Sequence, residues 1–481
     1  MSVATPLMLT LAQAQQWIPG ARLVGDGATT VARVHTDTRT LAAGDLFVAL
    51  KGERFDANDF LADAKAGGPV AATPHGGPEA AGLAGLEVPD TLAALGALAA
   101  GWRAQFDLPL IAVTGSNGKT TVTQMIASIL VAFRGERALA TAGNFNNEIG
   151  VPLTLLRLRP SHQHAVVELG MNHPGEIARL AAIARPTIAL VNNAQREHLE
   201  FMATVDAVAR ENGAVFAALP AEGCAVFPHA DTFAGLWTEM AEGGAAGLCI
   251  PFGEEPGPGV PAAGAEWRPG AWQVRIRTPQ GAFDARLQIA GRHNVVNALA
   301  ATACALAAGV PIDAIAAGLS AFVPVKGRSR ASAVVLPGGH SLTLVDDSYN
   351  ANPDSVRAAI DVLAALPGPR LLVLGDMGEV GDRAAEFHAE MGDWARQRGI
   401  EALYALGAES AHSIAAFGGS ADDGRHFADA DVLDAAVRAR LPQVASVLVK
   451  GSRFMKMERV VRTIEQTAAT TTTTTTQGGR S

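Results

Sequence analysis

Apolar and polar positions alternate between two rhythms along most of the chain. Compact apolar runs at Leu108–Val113, His164–Leu169, Ile188–Asn192 and Ala225–Pro228 have the character of buried strands. Ser341–Asp346, Arg370–Leu374, Ala402–Leu406 and Ser446–Val449 repeat that character further on. Between them, Lys119–Phe133, Asn294–Ala308, Asp354–Leu366 and Ala385–Arg398 carry apolar residues at helical spacing. Strand–helix alternation of this kind predicts mostly parallel sheets covered by helices, an α/β fold. Two segments differ. In Ala271–Ile289 every second residue is apolar on either side of Pro279-Gln280-Gly281, which predicts a hairpin. Near the start, Leu7, Leu11, Ala14 and Ile18 share a helical face and predict a first amphipathic helix. Asp45–Gly52 reads as a strand closed by a glycine turn, and Asp90 or Thr91 caps an alanine-rich helix reaching about Phe106.

These elements group into blocks at residues 1–105, 106–326 and 327–466. A threonine-rich end, 467–481, is expected to be disordered, because a threonine run cannot bury a core. The length of 481 residues agrees with about three domains of ~100–200 residues each. With 48% hydrophobic and 18% charged residues, wholesale disorder is excluded. The net charge of −9 argues against a general nucleic-acid binder, which needs clustered lysine and arginine against phosphate. Cys224, Cys249 and Cys304 form no CxxC pair, so neither a disulfide framework nor a zinc ribbon is expected. No apolar run approaches the ~18–20 residues of a membrane span. The N-terminal segment lacks a basic region ahead of its apolar residues. The expectation is a cytoplasmic protein with no integral membrane association.

The strongest local signal is Thr114-Gly115-Ser116-Asn117-Gly118-Lys119-Thr120-Thr121, set between a buried strand and a helix. Glycines there allow close backbone approach, and the helix N-terminus presents N–H groups to a polyphosphate. Lys119 would neutralise phosphate charge, and the Thr120 hydroxyl would ligate Mg²⁺. Glu168 and His198 follow other strands of the same block, so their side chains would converge on the same sheet edge and reach that metal. Asn294 and Asn297 lie one turn apart, where amides can read an adenine edge; Asn294 alternatively caps the helix. Asp346-Asp347 opens a polar run through Pro353. Its carboxylates bind ribose hydroxyls or a metal-bound water, or the run is an ordinary polar loop with a helix cap.

Taken in order, GxxGKTT, Glu168-Leu169-Gly170, His198-Leu199-Glu200, Gly291-x-His293-Asn294-x-x-Asn297, Lys326-Gly327-Arg328 and Asp346–Pro353 resemble the Mur ligases over about residues 20–465. These are ATP-dependent ligases of peptidoglycan precursor synthesis. Asp37-Thr38-Arg39, Gly143–Pro152, Leu374–Glu379 and Lys450–Arg453 resemble the type that adds D-alanyl-D-alanine to UDP-N-acetylmuramoyl-tripeptide through an acyl phosphate. The resemblance implies an N-terminal UDP-substrate domain, a central ATP-binding domain around a phosphate-loop parallel sheet, and a Rossmann-like C-terminal domain. It implies ATP and Mg²⁺ as cofactors, small-molecule substrates only, and a monomer. By resemblance, Thr114 to Thr121, Asn294, Asn297, Arg328 and Asp347 serve ATP, while Thr38, Arg39, Asn146 and Asn147 serve the substrate. Lys119, Glu168 and His198 would carry catalysis, the last two with Thr120 as metal ligands. Asn212 stands where many relatives carry a carbamylated lysine; an amide with water, Arg210 or Glu211 would take over there. A hinge is expected near Pro324–Gly327.

Overall fold

The computed structural model describes residues 7–474, apart from 53, 54, 76, 245 and 269. The first helix, α1 (Leu11–Trp17), begins later than its apolar spacing predicts. Thr10 and Gln13 form a capping box that fixes its start, which leaves Leu7 outside it and exposed. Strands β1 (Arg22–Val24), β2 (Arg33–His35), β3 (Asp45–Val48), β4 (Val70–Ala72) and β5 (Gly85–Glu87) form one sheet in the order β1-β5-β4-β3-β2. Helix α2 (Thr91–Arg103) follows, with the Asp90 carboxylate accepting from Ala93 N at 2.8 Å. Its Leu95, Leu98 and Trp102 join an apolar cluster that continues into the central block as far as Trp237.

The central block holds β6 (Leu110–Thr114), α3 (Lys119–Arg134), β7 (Ala138–Ala140), β8 (His164–Glu168) and α4 (Glu176–Ala184). It continues with β9 (Ile188–Val191), α5 (Val205–Gly213), β10 (Cys224–Pro228), α6 (Ala234–Gly243), β11 (Leu248–Gly253) and β12 (Val260–Arg268). The expected hairpin, β13 (Ala271–Thr278) and β14 (Gly281–Leu287), precedes α7 (His293–Ala307) and α8 (Ile312–Ala321). Nine strands run in the order β14-β13-β12-β11-β10-β9-β6-β8-β7, parallel from β12 to β7 and antiparallel at the hairpin end. Strands β11 and β12 escaped the sequence pattern because Pro251 and the glycine-proline run Gly253–Gly259 interrupt it.

A separate sheet comprises β15 (Arg330–Val335), β16 (Ser341–Asp347), β17 (Arg370–Gly375), β18 (Ala402–Leu406), β19 (Gly424–Phe427) and β20 (Ser446–Lys450). Its order is β15-β16-β20-β17-β18-β19, parallel except for β15. Helices α9 (Pro353–Ala364), α10 (Ala384–Gln397) and α11 (Glu458–Thr474) pack on it. Helix α11 corrects the expected disorder of residues 467–474. Val460, Val461 and Ile464 bury one face, and a nucleated helix extends by one hydrogen bond per residue. Residues 475–481 of that expectation lie outside the described residues. No helix among the described residues is long and apolar enough to cross a membrane.

Parallel strands end on one edge of a sheet, so β6, β8 and β9 deliver Thr114, Glu168 and Asn192 together. The C-terminal sheet does the same with Asp347 and Lys450, which are paired in register. One cleft is lined by residues from both edges. Outside its lining, Arg196 joins the two blocks, donating to Asp354 at 2.7 Å on α9 and to Glu390 at 2.7 Å on α10. Behind the first edge, α5 is fixed by the core: the fully buried Trp237 donates its indole N–H to Ala209 O at 3.0 Å. Replacing this side chain by alanine opens a cavity and is expected to cost about 3–5 kcal/mol. Thermal unfolding of Trp237→Ala checks this; a loss under ~1 kcal/mol would contradict the role given to the core here.

Candidate active site

The turn from β6 into α3 is shaped by close packing. Gly115 has φ +125° and Gly118 has φ +82°, both in the region that favours glycine. A Cβ on Gly115 would meet Asn192 N at 2.9 Å, and one on Gly118 would meet Asn297 Oδ1 at 2.6 Å. Asn192 and Asn193 hold the turn from below. Asn193 accepts from Asn117 N at 2.8 Å, and both asparagines donate to Asn117 O. From the side, Asn212 Oδ1 accepts from the Thr114 hydroxyl and from Gly115 N at 2.7 Å. Gly118 caps α3 without a side-chain bond, which leaves first-turn N–H groups facing the cleft beside Lys119, Thr120 and Thr121.

Thr120 and Glu168 come together as expected. The hydroxyl donates to Glu168 Oε1 at 3.2 Å, and Asn146 Nδ2 donates to the same oxygen at 2.8 Å. Arg328 reaches in from the far side, donating to Thr120 Oγ1 at 3.3 Å while its guanidinium lies 4.0 Å from the centroid of Tyr349. These groups line a cavity of about 460 Å³ with Ser116, Lys119 and His198.

Lys119 is held in a pairing that sequence reasoning missed. Its Nζ donates to Ser116 O at 3.0 Å and to Glu197 Oε1 at 2.9 Å. His198 Nε2 lies 3.4 Å from Glu197 Oε1, and its Nδ1 lies 2.5 Å from Glu379 Oε2 on the loop that follows β17. Burial opposes charge on His198, but the flanking Glu197 and Glu379 outweigh it and raise its pKa to about 9. Burial likewise opposes ionisation of Glu197, and Lys119 with His198 still holds the carboxyl below its ordinary range. The signal available was only the adjacency of Glu197 to His198 in the loop after β9; the pairing with Lys119 is tertiary.

A neighbouring cavity of about 380 Å³ is lined by Asn192, His293, Asn294, Asn297, Asp347 and Lys450 among others. Asn297 donates to Asn294 Oδ1 at 2.8 Å, and Asn192 donates to Asn297 Oδ1 at 3.0 Å. Asn294 does not cap the helix: its amide donates back to Ala290 O at 2.7 Å. Asp347 is neutralised by Lys450 at 2.6 Å and accepts from Ser329 N at 2.9 Å. The helix-cap alternative holds at Asn352, whose side chain accepts from Ser355 N.

Other expected residues lie elsewhere. Arg210 pairs with Asp206 on the surface, and Glu211 accepts from Gly175 N and Ile177 N at the start of α4. Neither reaches the site, so the substitution at Asn212 is not compensated by them. Asn147 Oδ1 accepts from Gly150 N at 2.9 Å in the turn that leads into the short helix Gly150–Leu155, at the cavity edge. Thr38 and Arg39 sit on a turn between β2 and β3, outside both cavities. Arg39 is exposed and paired with Asp37.

Residues 113–305 match the family description "Mur ligase middle domain", and residues 332–453 match "Mur ligase, glutamate ligase domain". The chain is 42% identical to the UDP-N-acetylmuramoyl-tripeptide–D-alanyl-D-alanine ligase of Escherichia coli, over 91% of this chain and 94% of that protein. It is 37% identical to the ligase of the same name from Haemophilus influenzae, over 92% and 96%. Among solved structures, MurF from Acinetobacter baumannii superposes with TM-score 0.85 at 34% identity, over 96% of this chain and all of that one. MurF from Thermotoga maritima in complex with ADP gives TM-score 0.78 at 25% identity, over 91% and 98%. With these likenesses spanning nearly its whole length, and a glycine turn at a helix N-terminus facing a second parallel sheet edge, the chain belongs to the Mur ligase family.

Proposed function

We propose that this chain joins D-alanyl-D-alanine to UDP-N-acetylmuramoyl-tripeptide, with ATP converted to ADP and phosphate. The carrying observation is the 42% identity across 94% of the Escherichia coli ligase of that name. In this reading the N-terminal sheet holds the UDP-sugar, the central sheet ATP, and the C-terminal sheet closes over both. Thr38 and Arg39 then act at the UDP end, at a distance from the reacting groups.

A carboxylate is a poor electrophile at neutral pH. Transfer of a phosphoryl group to it gives an acyl phosphate, which the dipeptide amine attacks, with phosphate leaving from the tetrahedral intermediate. What the protein supplies is position and positive charge. Lys119, Arg328 and the first-turn N–H groups of α3 surround the place where the terminal phosphates would lie. Asn294 and Asn297, bonded to each other, line the neighbouring cavity in which the base would lie. Lys450, paired with Asp347, stands where the two cavities meet. Thr120 and Glu168 present hard oxygen donors 3.2 Å apart, which suits Mg²⁺. Bound there, the ion would neutralise phosphate charge. His198, which lies beside Glu197 and Glu379, would be a further ligand if freed from those carboxylates. The Arg196 pairs with Asp354 and Glu390 hold the C-terminal block against the central one, an arrangement that would help keep water from the acyl phosphate.

Incubating the protein with ATP, UDP-N-acetylmuramoyl-tripeptide and D-alanyl-D-alanine is expected to give the pentapeptide product by mass spectrometry. Lys119→Ala should lower kcat/KM by ~10²–10³-fold. No product from the wild-type protein overturns the reading. Asn212→Ala leaves Gly115 N–H and the Thr114 hydroxyl without their acceptor, a cost of about 1–3 kcal/mol. The expected result is an ATP KM raised roughly 5- to 100-fold with the dipeptide KM unchanged. Equal changes in both constants would show that Asn212 supports the whole cleft instead of the turn.

A further inference from the structure

Lys119 has three N–H donors, and the oxygens of Gly115, Ser116 and Glu197 take all of them. Glu197 is buried, with its side chain 11% exposed. One of its oxygens, Oε1, meets Lys119 and His198. The other, Oε2, is buried and has no hydrogen-bond partner among the described residues. A buried carboxylate oxygen in that condition is costly unless a donor or a cation reaches it. His198 does not supply the missing partner: its Nε2 lies 3.4 Å from Oε1 of the same carboxylate, and its Nδ1 lies beside Glu379 Oε2, 2.5 Å away, without hydrogen-bond geometry. Asn212 serves Thr114 and Gly115. Glu197, Lys119, Thr120 and Glu168 line the same cavity.

We infer that Glu197 makes nucleotide binding by this chain conditional on a divalent cation. The inference rests on the ligase reading above, which brings a polyphosphate to Lys119. When phosphate oxygens take the ammonium group, Glu197 loses its counter-ion and remains beside the anion that displaced it. Two like charges in a partly buried cleft repel strongly. A divalent cation entering with the phosphates relieves both and gives Oε2 a partner, since carboxylate oxygens are natural ligands for Mg²⁺. Without the cation, the internal Lys119–Glu197 pair competes with the nucleotide and keeps the turn closed to it. Glu197 therefore acts on the phosphates through Lys119 and the metal, as a positioning residue.

The test is calorimetric titration of the full-length protein with ADP, in excess Mg²⁺ and in EDTA. For wild type, affinity is expected to fall by about 30-fold or more when Mg²⁺ is removed. Glu197→Gln keeps the shape and removes the charge; its metal-free affinity should rise until the ratio between the two conditions is under about 5-fold. Glu197→Ala should collapse the ratio in the same way and serves if the glutamine variant does not fold. Glu197→Asp, which restores the charge, should keep a metal-dependent affinity. A ratio in both neutral variants equal to that of wild type overturns the inference and leaves the ligase reading standing. Wild-type protein that binds no ADP in either condition overturns the ligase reading, and the inference with it.

Discussion

The rest of the site depends on one close approach. The turn after β6 lies so near Asn192 and Asn193 that a single methyl group at Gly115 would collide with backbone nitrogen. That contact fixes where the N-terminus of α3 points, and therefore where Lys119 and Thr120 stand. It is maintained from two directions. Asparagines at the end of β9 bond the turn from beneath, and Asn212 on α5 bonds it from the side. Trp237, fully buried, ties α5 to the core. A continuous path of packing and hydrogen bonds thus runs from the interior to the cleft beside Lys119 and Thr120.

Charge is the second constraint. The chain carries −9 overall, yet its proposed nucleotide and nucleotide-sugar ligands are anionic. The cleft resolves this locally. Lys119 and Lys450 each stand against a carboxylate, Glu197 and Asp347, and Arg328 lies over the face of Tyr349. Positive groups are thus held at defined places, in pairs that an incoming phosphate must rearrange. Contacts between the sheets follow the same logic: Arg196 with Asp354 and Glu390, and His198 with Glu379, join the central edge to the C-terminal one.

What was legible in the sequence follows from how local each feature is. The strands that hold Thr114, Glu168 and Asn192 are uninterrupted apolar runs, and the glycines of the turn fall at fixed spacing, so both could be read directly. Strands β11 and β12 could not, because prolines and glycines broke the period. The edge strand β19 is short and mostly polar. Asn294 was legible as a residue that meets Asn297, but not as one whose amide turns back to Ala290 O. Glu197 stood out only as the neighbour of His198, because its partner Lys119 lies 78 positions away. Asn212 could be seen as a departure from the family pattern, while its bonds to Thr114 and Gly115 needed the fold. The threonine run misled in the other direction: composition argued for disorder, but a helix already nucleated on a buried face extends through Thr474.

The central claim is that the two facing sheet edges serve the phosphorylation of a substrate carboxylate before the amine attacks. The most direct measurement uses UDP-N-acetylmuramoyl-tripeptide labelled with ¹⁸O in its terminal carboxylate. Mass spectrometry of the phosphate released during ligation then follows the label. An acyl phosphate predicts that one carboxylate oxygen leaves with each phosphate, so the label appears in phosphate in step with product. Pentapeptide formed with unlabelled phosphate would contradict the account.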